Sequence, residues 1–237
     1  VAVLMFGSGK GYYALGAYPM LLAGGAAAIE KWSEEKKWLR YAVTFVIIGL
    51  TTPFIPLLLP VWKPEKLASF YQQYGINKTG LLKWEDQKEH PLPQDFADML
   101  GWKELAMKTE TVFNSGLSNE IKDSTLIYCR NYGQAGALKF YCRSAHLKEK
   151  VISDNGSFLL WIPDSFQFRH ILFVGRRMPD KDDEVFQHFK SYTIMDSVTN
   201  PLSRQYGDKI ILFENADDQA NKLALDGLKE EKQKFYR

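Results

Sequence analysis

Three short segments hold residue types from which binding chemistry is built. The first is RNYGQAGA, Arg130–Ala137, placed where an apolar run ends and a helical pattern opens. Gly133 permits a tight turn there, and Gly136 with Ala137 permits close packing of helix on sheet. The backbone N–H groups of the helix start could hold an anion or a hydroxyl-rich ligand, with Tyr132, Gly133, Gln134 and Gly136 as contacts. Open α/β sheets bind ligands beyond the carboxyl ends of their strands, which is where this segment falls. It lacks the three-glycine spacing of a dinucleotide site, and small residues kept for packing alone would give the same string. The second segment is SDNGS, Ser153–Ser157. Asp154 and Asn155 emerge at the same sheet edge and could bind sugar hydroxyls, although Asp-Asn-Gly is equally ordinary turn chemistry. The third is SGKGYY, Ser8–Tyr13, just ahead of a long apolar run. At a bilayer surface Lys10 can pair with a lipid phosphate, and Tyr12 and Tyr13 suit the headgroup layer. A plain interfacial anchor has the same composition.

Other chemistry is poorly represented. Glu85, Asp86, His90, Asp95 and Asp98 lie close in sequence, but their spacing matches no metal-ligand set. The four histidines, His90, His146, His170 and His188, lack partners at the spacing of a nucleophile–histidine–acid array. Cys129 and Cys142 are too few for a disulfide framework and read as small buried side chains, although a strand end and the next helix could bring them together. No metal and no cofactor is expected.

The elements that would position these residues fall into two parts. Gly11–Ile29 and Tyr41–Trp62 contain no Asp, Glu, Lys or Arg over 19 and 22 residues. A bilayer core of about 30 Å takes about 20 apolar residues in a helix, so two transmembrane helices are expected, at about 12–29 and 41–60. The small residues Ala23–Ala28 suit close helix packing in a multi-span bundle. Val1–Phe6 is apolar and reads as the tail of a further span, which makes this the C-terminal piece of a larger membrane protein. The intervening segment 30–40 carries Lys31, Lys36, Lys37 and Arg40. Such a basic loop favours the cytoplasmic side, so the C-terminal domain is expected outside the cytoplasm.

Residues 1–60 hold five of the 30 basic and three of the 28 acidic groups, leaving 25 of each for 61–237. That neutral balance gives no reason to propose nucleic acid as a partner. From residue 63 onward strands alternate with helices. The apolar spacing predicts a helix over 93–114, a strand over 124–129, a helix over 134–143 and a short strand over 150–153. Phe158–Trp161 is a further apolar stretch. Strands follow at 170–174, 192–196 and 209–213, with a short helix at 183–189. A charged helix runs from Asp217 to Phe235, burying Ala220, Leu223, Ala224 and Leu228. The expected fold is α/β, a three-layer domain at 63–237 with a mostly parallel sheet.

Gly9–Met20 (GKGYYALGAYPM) resembles a loop and helix of bacterial GT-C membrane glycosyltransferases. These are the dolichyl-phosphate-mannose-protein mannosyltransferase-like proteins of glycosyltransferase family 39, relatives of the aminoarabinose transferases. Leu92–Trp102 and Asn131–Ala137 are similar to the C-terminal part of the same proteins, so the resemblance covers most of the chain. It implies an inner-membrane enzyme that takes a sugar from a polyprenyl-phosphate donor and passes it to a glycan or lipid acceptor on the outer face. The family's catalytic acid lies in an early external loop, which has no counterpart in this sequence, so no residue inherits that role. The resemblance places Lys10, Tyr12 and Tyr13 near the donor phosphate and sets the soluble domain over the active site. The alternative is a membrane-tethered, non-enzymatic module that binds glycan or protein.

Overall fold

The structure is a computed structural model that describes residues 16–179 and 183–235. Val1–Phe6, Lys10, Tyr12 and Tyr13 lie outside the described residues. The chain forms two compact units that divide between Lys63 and Pro64.

In the first unit, α1 spans Tyr18–Trp32 and α2 spans Lys37–Thr51. α2 continues through a 3-10 turn at Thr52–Phe54 into a last turn at Ile55–Leu58. Among the described residues one helix is long and apolar enough to cross a membrane. It is Lys37–Leu58, 22 residues with mean hydropathy 1.9 and none of its apolar window buried. The 15 described residues of α1 fall short of the length a bilayer requires, so the first expected span is not established. Pro53 and Pro56 each remove a backbone donor from the second. The hydroxyls of Thr44, Thr51 and Thr52 turn inward, each donating to the carbonyl four residues back at 2.7–2.9 Å. Arg40 Nε donates to Ser33 Oγ at 2.8 Å, and that hydroxyl donates to Ile29 O at 2.7 Å. A basic residue of the 30–40 segment thus secures the end of α1, where exposed carbonyls favour a cation.

The second unit opens with α3, Pro64–Gln73, and a single helical turn at Gln94–Ala97. There follow α4 (Trp102–Thr111), α5 (Asn119–Asp123), β1 (Thr125–Cys129), α6 (Tyr132–Tyr141), α7 (Ala145–Glu149) and β2 (Val151–Ile152). β3 (His170–Gly175), α8 (Glu184–Gln187), β4 (Phe189–Ser197), β5 (Lys209–Ala216) and α9 (Asp218–Phe235) complete it. The sheet order is β2-β1-β3-β5-β4. β1 is parallel to both β2 and β3, whereas β5 is antiparallel to β3 and to β4. Four strands therefore point one way and β5 opposes them. β5 reverses because a loop, not a crossover helix, joins it to β4.

β3 sits in the middle with all six residues buried. Successive side chains alternate faces. Leu172 and Val174 pack with Leu105 of α4 and Leu138 of α6. Ile171 and Phe173 pack with Phe186 of α8 and Ala220 of α9. The layers are helix, sheet, helix, as the alternation of elements implies. The α9 stripe is as expected in kind, with Ala220 and Leu228 buried and Leu223 and Ala224 half-buried.

Two expected elements differ. Phe158–Trp161 lies in a 3-10 helix, Gly156–Trp161. The single helix expected over 93–114 is interrupted at Gly101, whose φ is +85°. A Cβ there would collide with Ser203 Oγ, from the loop between β4 and β5. That loop docks on the break, Arg204 N donating to Ala97 O at 3.0 Å. The helical period of the apolar residues is real, but the chain must turn to receive the loop. Gly101→Ala combines a left-handed backbone with this collision. It is expected to destabilise the protein by about 1–3 kcal/mol, read as a lower urea midpoint at unchanged slope.

Candidate functional site

The carboxyl edge of the parallel strands gathers most of the sequence-derived residues. β1 ends at Cys129, and Asn131 caps α6. Its backbone is extended, and its side chain accepts from Gly133 N at 2.6 Å. Gln134 closes a capping box, its Oε1 accepting from Asn131 N at 3.1 Å. Gln134 Nε2 also donates to Asp208 Oδ2 at 2.7 Å. Both Gln134 and Asp208 are buried, so Gln134 braces α6 to the start of β5 and does not face solvent. Gly133 is needed for close approach, since a Cβ would come within 2.8 Å of the Trp102 ring of α4. Gly136 meets nothing within 4 Å. The tight helix–sheet packing expected of Gly136 is provided by the buried Ala135 and Ala137.

β2 ends one strand away. Ser153 Oγ accepts from Asn155 N at 3.3 Å, fixing the turn. Asn155 Oδ1 accepts from Tyr132 N at 3.4 Å. Tyr132 is 58% exposed, and Asp154 and Asn155 are exposed beside it. The two turns are thus tied together, and Tyr132 and Asn155 meet at an exposed surface, with Asp154 next to Asn155 in the chain and bonded to Tyr128. The helix-start amides expected to hold an anion are already engaged, those of Tyr132 and Gly133 by Asn155 and Asn131. What remains open is an aromatic ring beside a carboxylate and an amide, a set suited to hydroxyl groups on a partly apolar ring.

Sequence reasoning missed Tyr128. Its hydroxyl donates to Asp154 Oδ2 at 2.9 Å. Burial, reinforced by the Asp154 charge, pushes the phenol pKa far up, so the hydroxyl stays a donor. Arg130 pairs with Asp183 at 3.1 Å on the same edge. Behind Tyr128 and Asp154 a cavity of about 250 Å³ separates β1, β2 and β3 from α9. Leu126 and Tyr128 alternate onto this face, so the period-two pattern of β1 held the signal. α9 could not be placed against it from sequence.

The remaining candidates resolve as structure. His90 stacks on Trp84 with ring centroids 3.5 Å apart and pairs with Asp86 at 3.0 Å. Arg204 bridges Glu85 and Asp98 at 3.1 and 3.3 Å. No group of His, Cys, Asp and Glu able to hold a metal is present among the described residues. Cys129 and Cys142 are free and buried. Burial pushes both thiols up, that of Cys142 to about 12. Comparison with family models, curated proteins and solved structures returns no match for this chain.

Burial raises the Asp208 carboxyl above its ordinary 3.8, offset in part by the Gln134 hydrogen bond and the Arg176 charge. A carboxylate whose folded pKa is raised stabilises the fold when protonated. That contribution is present below the unfolded pKa and is lost as pH rises through the folded one. Asp208→Asn keeps an acceptor for Gln134 and removes the charge. Its gain in melting temperature is expected to be larger at pH 7 than at pH 4, measured by thermal unfolding at both.

Proposed function

We propose that this chain is the C-terminal part of an integral membrane glycosyltransferase of the bacterial inner membrane. The enzyme moves a sugar from a polyprenyl-phosphate donor to a glycan or lipid acceptor on the outer face. The α/β unit, held outside the cytoplasm, recognises the acceptor. The observation that carries this reading is the convergence of the exposed Tyr132, Asp154 and Asn155 at the carboxyl edge of the sheet. An aromatic ring can cover the C–H face of a sugar while the carboxylate and amide bind its hydroxyls. The unburied apolar helix Lys37–Leu58 and the family-like segments Gly9–Met20, Leu92–Trp102 and Asn131–Ala137 support the membrane setting and the reaction class. The catalytic acid belongs to a part of the enzyme outside this sequence. Lys10, with Tyr12 and Tyr13, contacts the donor phosphate.

A membrane-tethered module that only binds glycan would use the same surface, and the assay separates the two. Full-length protein in membranes is supplied with polyprenyl-phosphate sugar and acceptor. Tyr132→Ala is expected to raise the acceptor KM about threefold to tenfold, the size of a lost aromatic contact, at unchanged donor KM. Lys10→Ala is expected to raise the donor KM alone. Absence of transfer by the intact protein overturns the enzyme reading. Unchanged kinetics in Tyr132→Ala overturns the acceptor surface.

A further inference from the structure

We propose that the cavity between α9 and the sheet binds a small organic cation, an ammonium ion carried on an apolar body. The observations that assign this ligand are the wall, the charges around it and one glycine.

The wall is apolar and aromatic. Leu126, Ile171 and Leu228 contribute aliphatic surface, and the rings of Tyr128, Phe166 and Phe186 line the same space. Aromatic faces attract a cation through their quadrupole and do so best when water is excluded. At about 250 Å³ the space is just below the usual range for drug-sized ligands, so it admits a single ring or a short alkyl chain.

Among the described residues, the charged ones lining the cavity are acids: Asp154, Asp183, Glu230 and Glu231. Asp183 is neutralised by Arg130. Lys234 reaches Glu230 and Glu231 at 2.8 and 2.9 Å, but it is 57% exposed, and such surface pairs are weak. Lys232 is held on Ile162 O and Asp164, both at 2.7 Å. Asp154 accepts from the neutral Tyr128 hydroxyl, and the Arg130 charge acts on both as well as on Asp183, which leaves the four acids in excess over Arg130 and Lys234. The cavity therefore carries negative charge over an aromatic wall, which repels a phosphate or carboxylate and suits an ammonium.

Gly227 lies exposed at the mouth of the cavity. It lies inside α9, an 18-residue helix, where glycine weakens the helix relative to alanine. Its φ is not positive, and a Cβ would meet nothing within 4 Å. Neither backbone strain nor crowding requires glycine there. The missing side chain leaves the rim of the cavity open to solvent and to a ligand.

The inference rests on the α/β unit alone, so a failed sugar-transfer assay leaves it standing. The test uses the full chain in zwitterionic lipid nanodiscs, with empty nanodiscs as reference, and saturation-transfer NMR titration. The probes are 2-phenylethylammonium, its neutral analogue 2-phenylethanol, and the anion phenylacetate. The amine is expected to bind saturably, at least threefold tighter than the alcohol and tenfold tighter than the anion. Asp154→Asn should bring amine and alcohol within twofold of each other. Gly227→Leu, which places a side chain over the cavity mouth and removes the helix-weakening glycine, should abolish saturable binding without lowering the melting temperature. The proposal is overturned if the wild type does not bind the amine saturably, if the alcohol or the anion binds as tightly, or if a folded Gly227→Leu protein still binds it.

Discussion

The second unit depends on one constraint, the burial of β3 on both faces. His170–Gly175 places Ile171 and Phe173 in one layer and Leu172 and Val174 in the other. Each such side chain contributes about 1.5–3 kcal/mol when withdrawn from water, so helices must cover both faces of the sheet. α4 and α6 cover one, α8 and α9 the other. Once β1 lies parallel to β3, its chain must leave through α6 on the first face. The chain leaving β3 reaches α8 on the second. The two connections diverge, and the carboxyl ends of β1 and β3 are left as an open edge. Open α/β sheets place their ligands at such a divergence; Tyr132, Asp154 and Asn155 lie next to it, at the ends of β1 and β2.

The edge is stiffened by buried polar contacts, not by packing alone. Gln134 joins the α6 cap to Asp208, and Asn155 joins the β2 turn to the same helix start. Asp208 stays a burden at neutral pH because burial disfavours its charge. A charge kept at such a cost fixes geometry, since it holds the first turn of α6 against the start of β5. The β4–β5 loop docks separately on the break at Gly101, so both ends of that loop are tied to the helical layer.

Much of this was legible in the chain. The alternation of apolar runs gave β1, β3, β5, α6 and α9 to within a few residues, because each buries a face with a clear period. It also placed Asp154 and Asn155 beside the α6 start. The misreadings share a cause: they depend on partners remote in sequence. The break at Gly101 exists for Ser203, about a hundred positions on, and Gln134 is buried because Asp208 needs a donor. Gly136 looked like a packing residue, yet Ala135 and Ala137 face the core. The cavity was not readable, because no local pattern says that α9 lies over Tyr128.

The two sides of the edge differ in the ligands they accept. On the α6 side, the amides that would attract an anion are held by Asn131 and Asn155. On the α9 side, the lining charges among the described residues are carboxylates, and Tyr128 is kept neutral by burial. Neither side is arranged for a phosphate, while both offer acceptors to hydroxyl or ammonium donors.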